Sequence, residues 1–503
     1  MDLKNVASAF VKNKMAKGSG ELAWRLRTGW LVWGLWLPLL AFAQDDFSAG
    51  PLYDQFPLTL DSGQRTEAAG PLFFQQERET EKSWGVSPLF SREIDPATES
   101  SAYDGLYPLL TYRIYGTQYR WQFCQLLSFA GGGDQTGSAR HRFTLYPVYF
   151  QQRSTDPNED YTALAPFYGH LKRRLFRDEI FFVMFPIYSE TRKRDVVTDN
   201  YLYPFFDRRY GHGLHGWQFW PVVGREHKDV TTLTNNFGET EISGGHDKSF
   251  LLWPFYLRQD TGIGTDNPEK IRASIPFYAV ARSPQRDSTS VVWPFLNWID
   301  DREKKYREWE GPWPFVVIAR GPGKTTTRVL PLFGRSHNDT LESDFYLWPL
   351  YKYNRLHTDT LERERTRILF FLFADTTEKN LGTGKARERV DLLPLFTWHR
   401  DFDGNRRLQI LAPLEPVLPG NSGIERNWSP LWSVWRAERN PGTGAASQSL
   451  LWNLYRYDRA PQAKKCSLLF GLFQYQSHAG SKKLRLLYIP VVNTHPPAGH
   501  PAQ

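Results

Sequence analysis

The sequence predicts an all-β protein built as one antiparallel up-and-down meander, and three observations predict it. A short string recurs through the 503 residues: two or three apolar residues, usually closing on an aromatic, then proline, then two more apolar residues. Leu251-Leu252-Trp253-Pro254-Phe255-Tyr256 is its plainest copy. Between copies lie polar, turn-forming stretches such as Asp401-Phe402-Asp403-Gly404-Asn405 and Ser477-His478-Ala479-Gly480-Ser481, which are hairpin signals. Aromatics make up 15% of the chain while mean hydropathy is −0.52, so strongly apolar short segments alternate with strongly polar ones. That combination excludes disorder, which lacks aromatics, and suits many short strands joined by wet turns.

Taken in order, the chain opens with a segment that reads as a secretory signal over residues 1–43. It has a basic region (Lys4, Lys12, Lys14, Lys17, Arg25, Arg27), an apolar run from Trp30 to Phe42, and a small-x-small end at Ala41-Phe42-Ala43. The apolar run is shorter than the ~20 residues a spanning helix needs. The segment carries six basic and two acidic residues, which leaves 56 basic against 52 acidic in the remainder, a net of +4. Near balance removes the basic footprint of a nucleic-acid binder. Two cysteines, Cys124 and Cys466, are too few for a disulfide-stapled scaffold.

Residues 44–492 read as one repetitive domain. With the proline position taken as a slot, copies fall at Pro71, Pro88, Pro108, Ser128, Pro147, Pro166, Pro186, Pro204 and Pro221, then at Pro254, Pro276, Pro294, Pro314, Pro331 and Pro349. The series continues through Phe371, Pro394, Pro413, Pro430, Asn453, Gly471 and Pro490. A period this regular marks a repeat architecture. Each unit reads as one strand plus one turn, for about 22 strands, because no unit shows helical apolar spacing over a useful length. Proline then falls at mid-strand, which implies a belt of interrupted hydrogen bonding at one height of the sheet. Asn453 and Gly471 tolerate the same irregularity, whereas Phe371 does not fit it. The stretch 225–249, poor in apolar residues, is expected to be a long loop, and residues 493–503 a flexible tail.

An open sheet rarely exceeds ~10 strands, so the meander is expected to close, most simply as a large β-barrel. The alternative is a soluble propeller or solenoid-like repeat whose apolar belt is an internal core. Against a barrel in lipid stands the proline itself, because backbone carbonyls left without partners are costly in hydrocarbon.

Motifs that might carry chemistry are weak. His399-Arg400-Asp401 with Asp403 sits in a turn that requires Asp and Gly anyway, and neither a triad nor a calcium loop can be built from it. His212 and His215, in Gly211-His212-Gly213-Leu214-His215-Gly216, lack a third metal ligand. Gly131-Gly132-Gly133-Asp134 precedes no helix and reads as a loop rather than a phosphate cradle. No catalytic, cofactor or metal residue is therefore assigned, and no enzyme is expected. The architecture points to an exported cell-envelope protein of the outer membrane, with a passive role in passage, export or structure. Its expected partners are membrane lipid, envelope polysaccharide or other envelope proteins, and not nucleic acid. The competing expectation is a soluble or surface-attached repeat, in the periplasm or at the cell surface, that binds polysaccharide or a partner protein.

Overall fold

The computed structural model describes residues 48–133, 137, 139–234 and 240–494. The signal expected over 1–43, Asp134 of the glycine run, and the tail from residue 495 onward lie outside the described residues. Forty-three strands of four to eight residues form one antiparallel sheet, each paired with its neighbours along the chain. The expected number of about 22 is thus corrected, because each repeat unit holds two strands and two turns.

The miscount traces to the proline, which lies in a turn and not at mid-strand. Around Pro254 the strand Gly245–Leu251 ends before Leu252 and the strand Tyr256–Ile263 begins after Phe255. The Phe255 N–H donates to the Leu252 carbonyl at 2.7 Å, Leu252 has φ of 46°, and the Trp253–Pro254 bond is cis. This is a four-residue turn with proline third. Copies without proline turn through consecutive left-handed residues instead: Leu369 and Phe370 at φ 48° and 61°, and Leu469 and Phe470 at 51° and 57°. That accounts for Phe371, which follows such a pair and needs no special backbone of its own. The degenerate copy turns at Cys124 and Gln125, so the slot assigned to Ser128 falls inside the strand Leu127–Gly133. Pro413 and Pro430 share a single excursion over residues 411–434, and Pro490 lies within the last strand, Ile489–Thr494.

Forty-three strands leave forty-two connections, which alternate between the two edges of the ribbon. Every slot turn therefore falls on one edge and every polar turn on the other. The stretch expected to be a loop over 225–249 is mostly sheet: Val223–Lys228 pairs with Gly245–Leu251, and a separate hairpin joins Thr231–Thr234 to Thr240–Ser243. Its low apolar content hid these strands because one whole face of the ribbon is polar. That face, called inner below, carries Ser91, Asp104, Gln152, Ser189, Asn200, Asp207, Ser290, Asn297, Asp391, Thr397 and Gln409, all buried. Among the described residues, buried polar or charged ones number 29 against 15 hydrophobic ones, so the sheet is not held by an oily core. Among the described residues the one sizeable apolar cluster is Phe150, Tyr161, Ala163, Leu171 and Phe182.

The sheet does not close through its backbone. Asp54–Pro57 pairs only with Gly63–Ala68, and Ile489–Thr494 only with Ser481–Leu486. At ~4.8 Å per strand the ribbon has a contour of roughly 200 Å. It nevertheless curls toward its inner face, since side chains from its two ends meet there: Thr59 Oγ1 donates to Ser447 Oγ at 2.6 Å, and Asn453 Nδ2 to Glu67 Oε2 at 3.1 Å.

Candidate membrane edge, polar inner face and seam

The slot edge is built from large apolar side chains left in the open. Leu202, Tyr203 and Phe205, then Leu252, Trp253, Phe255 and Tyr256, then Val292, Trp293 and Phe295, then Leu347, Trp348 and Leu350 are all exposed at turns along this edge. Phe277 is 73% exposed. On the outer face, just behind the turns, aromatic rings touch across the strands: Tyr168 to Phe181, Phe181 to Tyr188, Tyr188 to Tyr201 and Tyr201 to Phe206, with centroids 5.2 to 6.2 Å apart. A continuous band of this kind far exceeds the few hundred Å² of apolar surface that soluble monomers leave open. Four residues past the slot proline an outward arginine ends the band in several copies: Arg92, Arg208, Arg225, Arg258 and Arg335. Their guanidinium groups lie alongside rings where these are near, as Arg92 does over Tyr103 at 5.2 Å and Arg208 over Tyr210 at 5.4 Å.

The backbone of this edge is paired at several turns. Ladder bonding runs on into the turns, and at several copies the slot proline accepts from the next copy. Pro166 takes the Phe185 N–H at 2.7 Å, Pro186 that of Tyr203 at 2.8 Å, Pro221 that of Trp253 at 2.6 Å, and Pro331 that of Trp348 at 2.7 Å. The objection to proline in an apolar medium is thereby met at these copies, because the carbonyls are paired.

Where the ends meet, the inner faces form a polar seam. The chain's only described α-helices, α1 (Ser422–Asn427) and α2 (Ser429–Trp432), lie in the 411–434 excursion. Asn421 caps α1 by accepting from the Ile424 N–H at 3.1 Å, and proline in the first turn starts α2. From α1, Arg426 is ion-paired to Glu93 and Asp104 and donates to Ser91 Oγ at 3.1 Å. Asp104 also pairs with Arg113 at 2.6 Å, and Trp428 Nε1 reaches the Tyr107 carbonyl at 2.8 Å. On the other side Arg407 bridges Glu425 (2.9 Å) and Glu438 (3.1 Å). Burial would raise the Glu438 carboxyl, but Arg436 and Arg407 overcome it and hold it at about 2. Nearer the N-terminus the Arg456 guanidinium stacks 3.4 Å above Phe56 while bonding Asp458 at 2.7 Å. A cavity of about 90 Å³ remains there, lined by Phe56, Thr59, Glu67, Arg436, Ser447 and Arg456.

The motifs singled out from sequence are not brought together. Asp401 closes its own turn, accepting from the Asp403 and Asn405 N–H groups at 2.9 Å. His399 lies on the adjoining strand, where burial, with Arg407 and Arg389 nearby, lowers it to about 4. His212 and Gly213 are the two left-handed residues of a tight hairpin, at φ 49° and 72°. The glycine run is the end of a strand and not a loop. A Cβ on Gly131 would stand 2.6 Å from His141 Nδ1 and 2.7 Å from the Tyr119 hydroxyl, so any larger residue would have to displace these side chains. Cys124 and Cys466 are both free. No cluster of three or more metal-ligating side chains exists among the described residues. The seam residues Asp104, Arg426 and Glu93 went unnoticed in the sequence because more than 300 residues separate Arg426 from the two acids. The one local signal was the cap sequence at Asn421. No family model matches the chain, and no curated protein matches it significantly.

Proposed function

We propose that this is an exported, non-enzymatic cell-envelope protein that seats its slot edge in the outer membrane and turns its polar inner face to an aqueous lumen. Its role is passive: passage of solutes or polymers, or scaffolding. The observation that carries this reading is the reversed polarity of the ribbon, with Ser, Thr, Asn, Gln and Asp buried inside and Trp, Tyr, Phe and Leu exposed outside, which is the pattern of barrels in lipid. The depth of the band supports shallow immersion. Four residues from slot proline to outward arginine span about 14 Å, close to half of the ~30 Å hydrocarbon core. Strands of four to eight residues fall short of the ~9 to 11 residues that cross a whole bilayer. The edge therefore enters one leaflet, with arginines at headgroup level, and the seam keeps the ribbon curled.

Cys124 supplies the test, because it lies in a slot turn and is exposed. In a Cys466→Ser background, a polarity-sensitive fluorophore on Cys124 is expected to shift to the blue on addition of phospholipid vesicles, and the protein to float with them. A charge at the edge, Trp253→Glu, is expected to reduce flotation severalfold. Recovery in the aqueous fraction with no spectral shift refutes the membrane reading. A second reading, a surface-attached repeat that binds polysaccharide, is favoured by the exposed ring ladders, since sugar faces stack on such rings. It predicts retention on a polysaccharide matrix without lipid.

A further inference from the structure

Around most of the inner face, basic side chains stand beside acids. Arg113 pairs with Asp104 at 2.6 Å, Arg209 with Glu226 at 3.0 Å, and Arg389 with Asp391 at 2.8 Å. More than one place departs from this: Arg142 has Arg174, Arg140 and Arg120 as its charged neighbours, and a second basic group stands farther along the ribbon. Lys352 and Arg367 are direct cross-strand partners on the strands Tyr351–His357 and Leu361–Ile368. Arg365 follows on the same face, opposite Asn354 and Thr376. Phe345 and Ala374 flank the pair in the same row. Among the described residues no carboxylate lies within ion-pair distance of these three; of the inner-face acids nearby, Glu378 is paired with Arg387 and Arg363, and Asp391 is held by Arg389 and by Thr397 Oγ1 at 2.6 Å.

Like charges directly opposite one another destabilise a sheet, and no direct ion pair compensates this trio among the described residues; Asp391 acts on Arg365 only from a distance. One ammonium and two guanidinium groups converge as donors, a set that matches the several oxygens of a phosphate and that two planar forks can grip bidentately. Lys352 stands three residues past Pro349, so the trio lies just behind the slot edge, on its inner side.

We propose that Lys352, Arg365 and Arg367 form a binding site on the inner face for a phosphate-class oxyanion. The anion is either a free polyphosphate in the lumen or the phosphodiester headgroup of a lipid at the edge. Only the lipid source rests on the membrane reading above.

The experiment uses the full chain in detergent micelles, titrated calorimetrically with tripolyphosphate, and in parallel floated with phosphatidylcholine vesicles with and without phosphatidylglycerol. The double variant Lys352→Gln/Arg367→Gln is expected to weaken tripolyphosphate binding at least tenfold, or to abolish the preference for phosphatidylglycerol, and to keep its circular dichroism spectrum. Arg307→Gln, whose side chain is 83% exposed, is the control and should leave both unchanged. Loss in the first arm assigns a soluble anion, and loss in the second alone assigns the headgroup. If the double variant misfolds, Arg365→Gln, which removes an exposed side chain, gives the same readout. Wild-type protein silent in both arms, a double variant equal to wild type, or an equal loss in Arg307→Gln overturns the site. Aqueous recovery of the wild-type chain would sink the membrane reading and leave the tripolyphosphate arm intact.

Discussion

Arg426→Ala is expected to open the seam without unfolding the ribbon. The Arg426 side chain is 7% exposed and compensates Glu93 and Asp104 together, Asp104 being wholly buried. Removing one partner of a buried pair costs about 3 to 5 kcal/mol, because the other charge stays behind uncompensated. Here the lower end applies. Asp104 keeps Arg113 at 2.6 Å and Asn427 Nδ2 at 3.3 Å, and the Glu93 side chain is 27% exposed, so water can reach it. A loss of about 3 kcal/mol raises the open population of the seam roughly 150-fold. Because each strand contacts mainly its neighbours, that loss stays local, as in other repeat arrays. Hydrogen exchange followed by mass spectrometry should show the drop in protection over 86–107 and 421–434, with 286–346 unchanged. Unchanged exchange at 421–434, or a uniform fall along the whole chain, would refute the picture of a ribbon held shut by α1.

Three further outcomes are expected. Asn421→Ala removes the α1 cap and should cost about 1 kcal/mol, read as a smaller rise in exchange over the same peptide. Gly169→Ala places a methyl against Ala163 and the Phe182 ring within the apolar cluster. It should destabilise by about 1 to 3 kcal/mol through overpacking, seen as a lower thermal midpoint with the spectrum intact. Acid should weaken the fold in two steps. His399, five residues past Pro394 and set back from the slot edge, sits at about 4 when folded against 6.5 in the unfolded chain. The unfolded chain therefore binds a proton first, and stability declines as pH falls from about 6.5 to 4, by at most ~3 kcal/mol. His399→Gln should flatten that step in a series of thermal midpoints. Glu438 is held at about 2 against 4.5, so its contribution is full above 4.5 and is lost only as pH drops toward 2.

The class of fold, its meander order and the presence of a recurring apolar band are legible in the sequence, because each depends on residues close together in the chain. Asp401 to Asn405 announces its own turn. The strand number was not legible, since an apolar string around proline looks the same at mid-strand as at a turn. Hydrogen bonding alone distinguishes them, as in the Phe255 N–H to Leu252 carbonyl bond. The strands within 225–249 were hidden for a related reason: with a polar inner face, Glu226, His246 and Lys248 belong in a strand, where residues 226 and 246 are bonded at 2.7 Å. Distance along the chain explains the rest. Composition by itself determined that this would be a many-stranded repeat with an apolar band. Only the tertiary structure decided which face is buried, that Arg426 meets Glu93 and Asp104, and that Lys352 and Arg367 stand opposite each other, because ribbon curvature and cross-strand register bring these groups together.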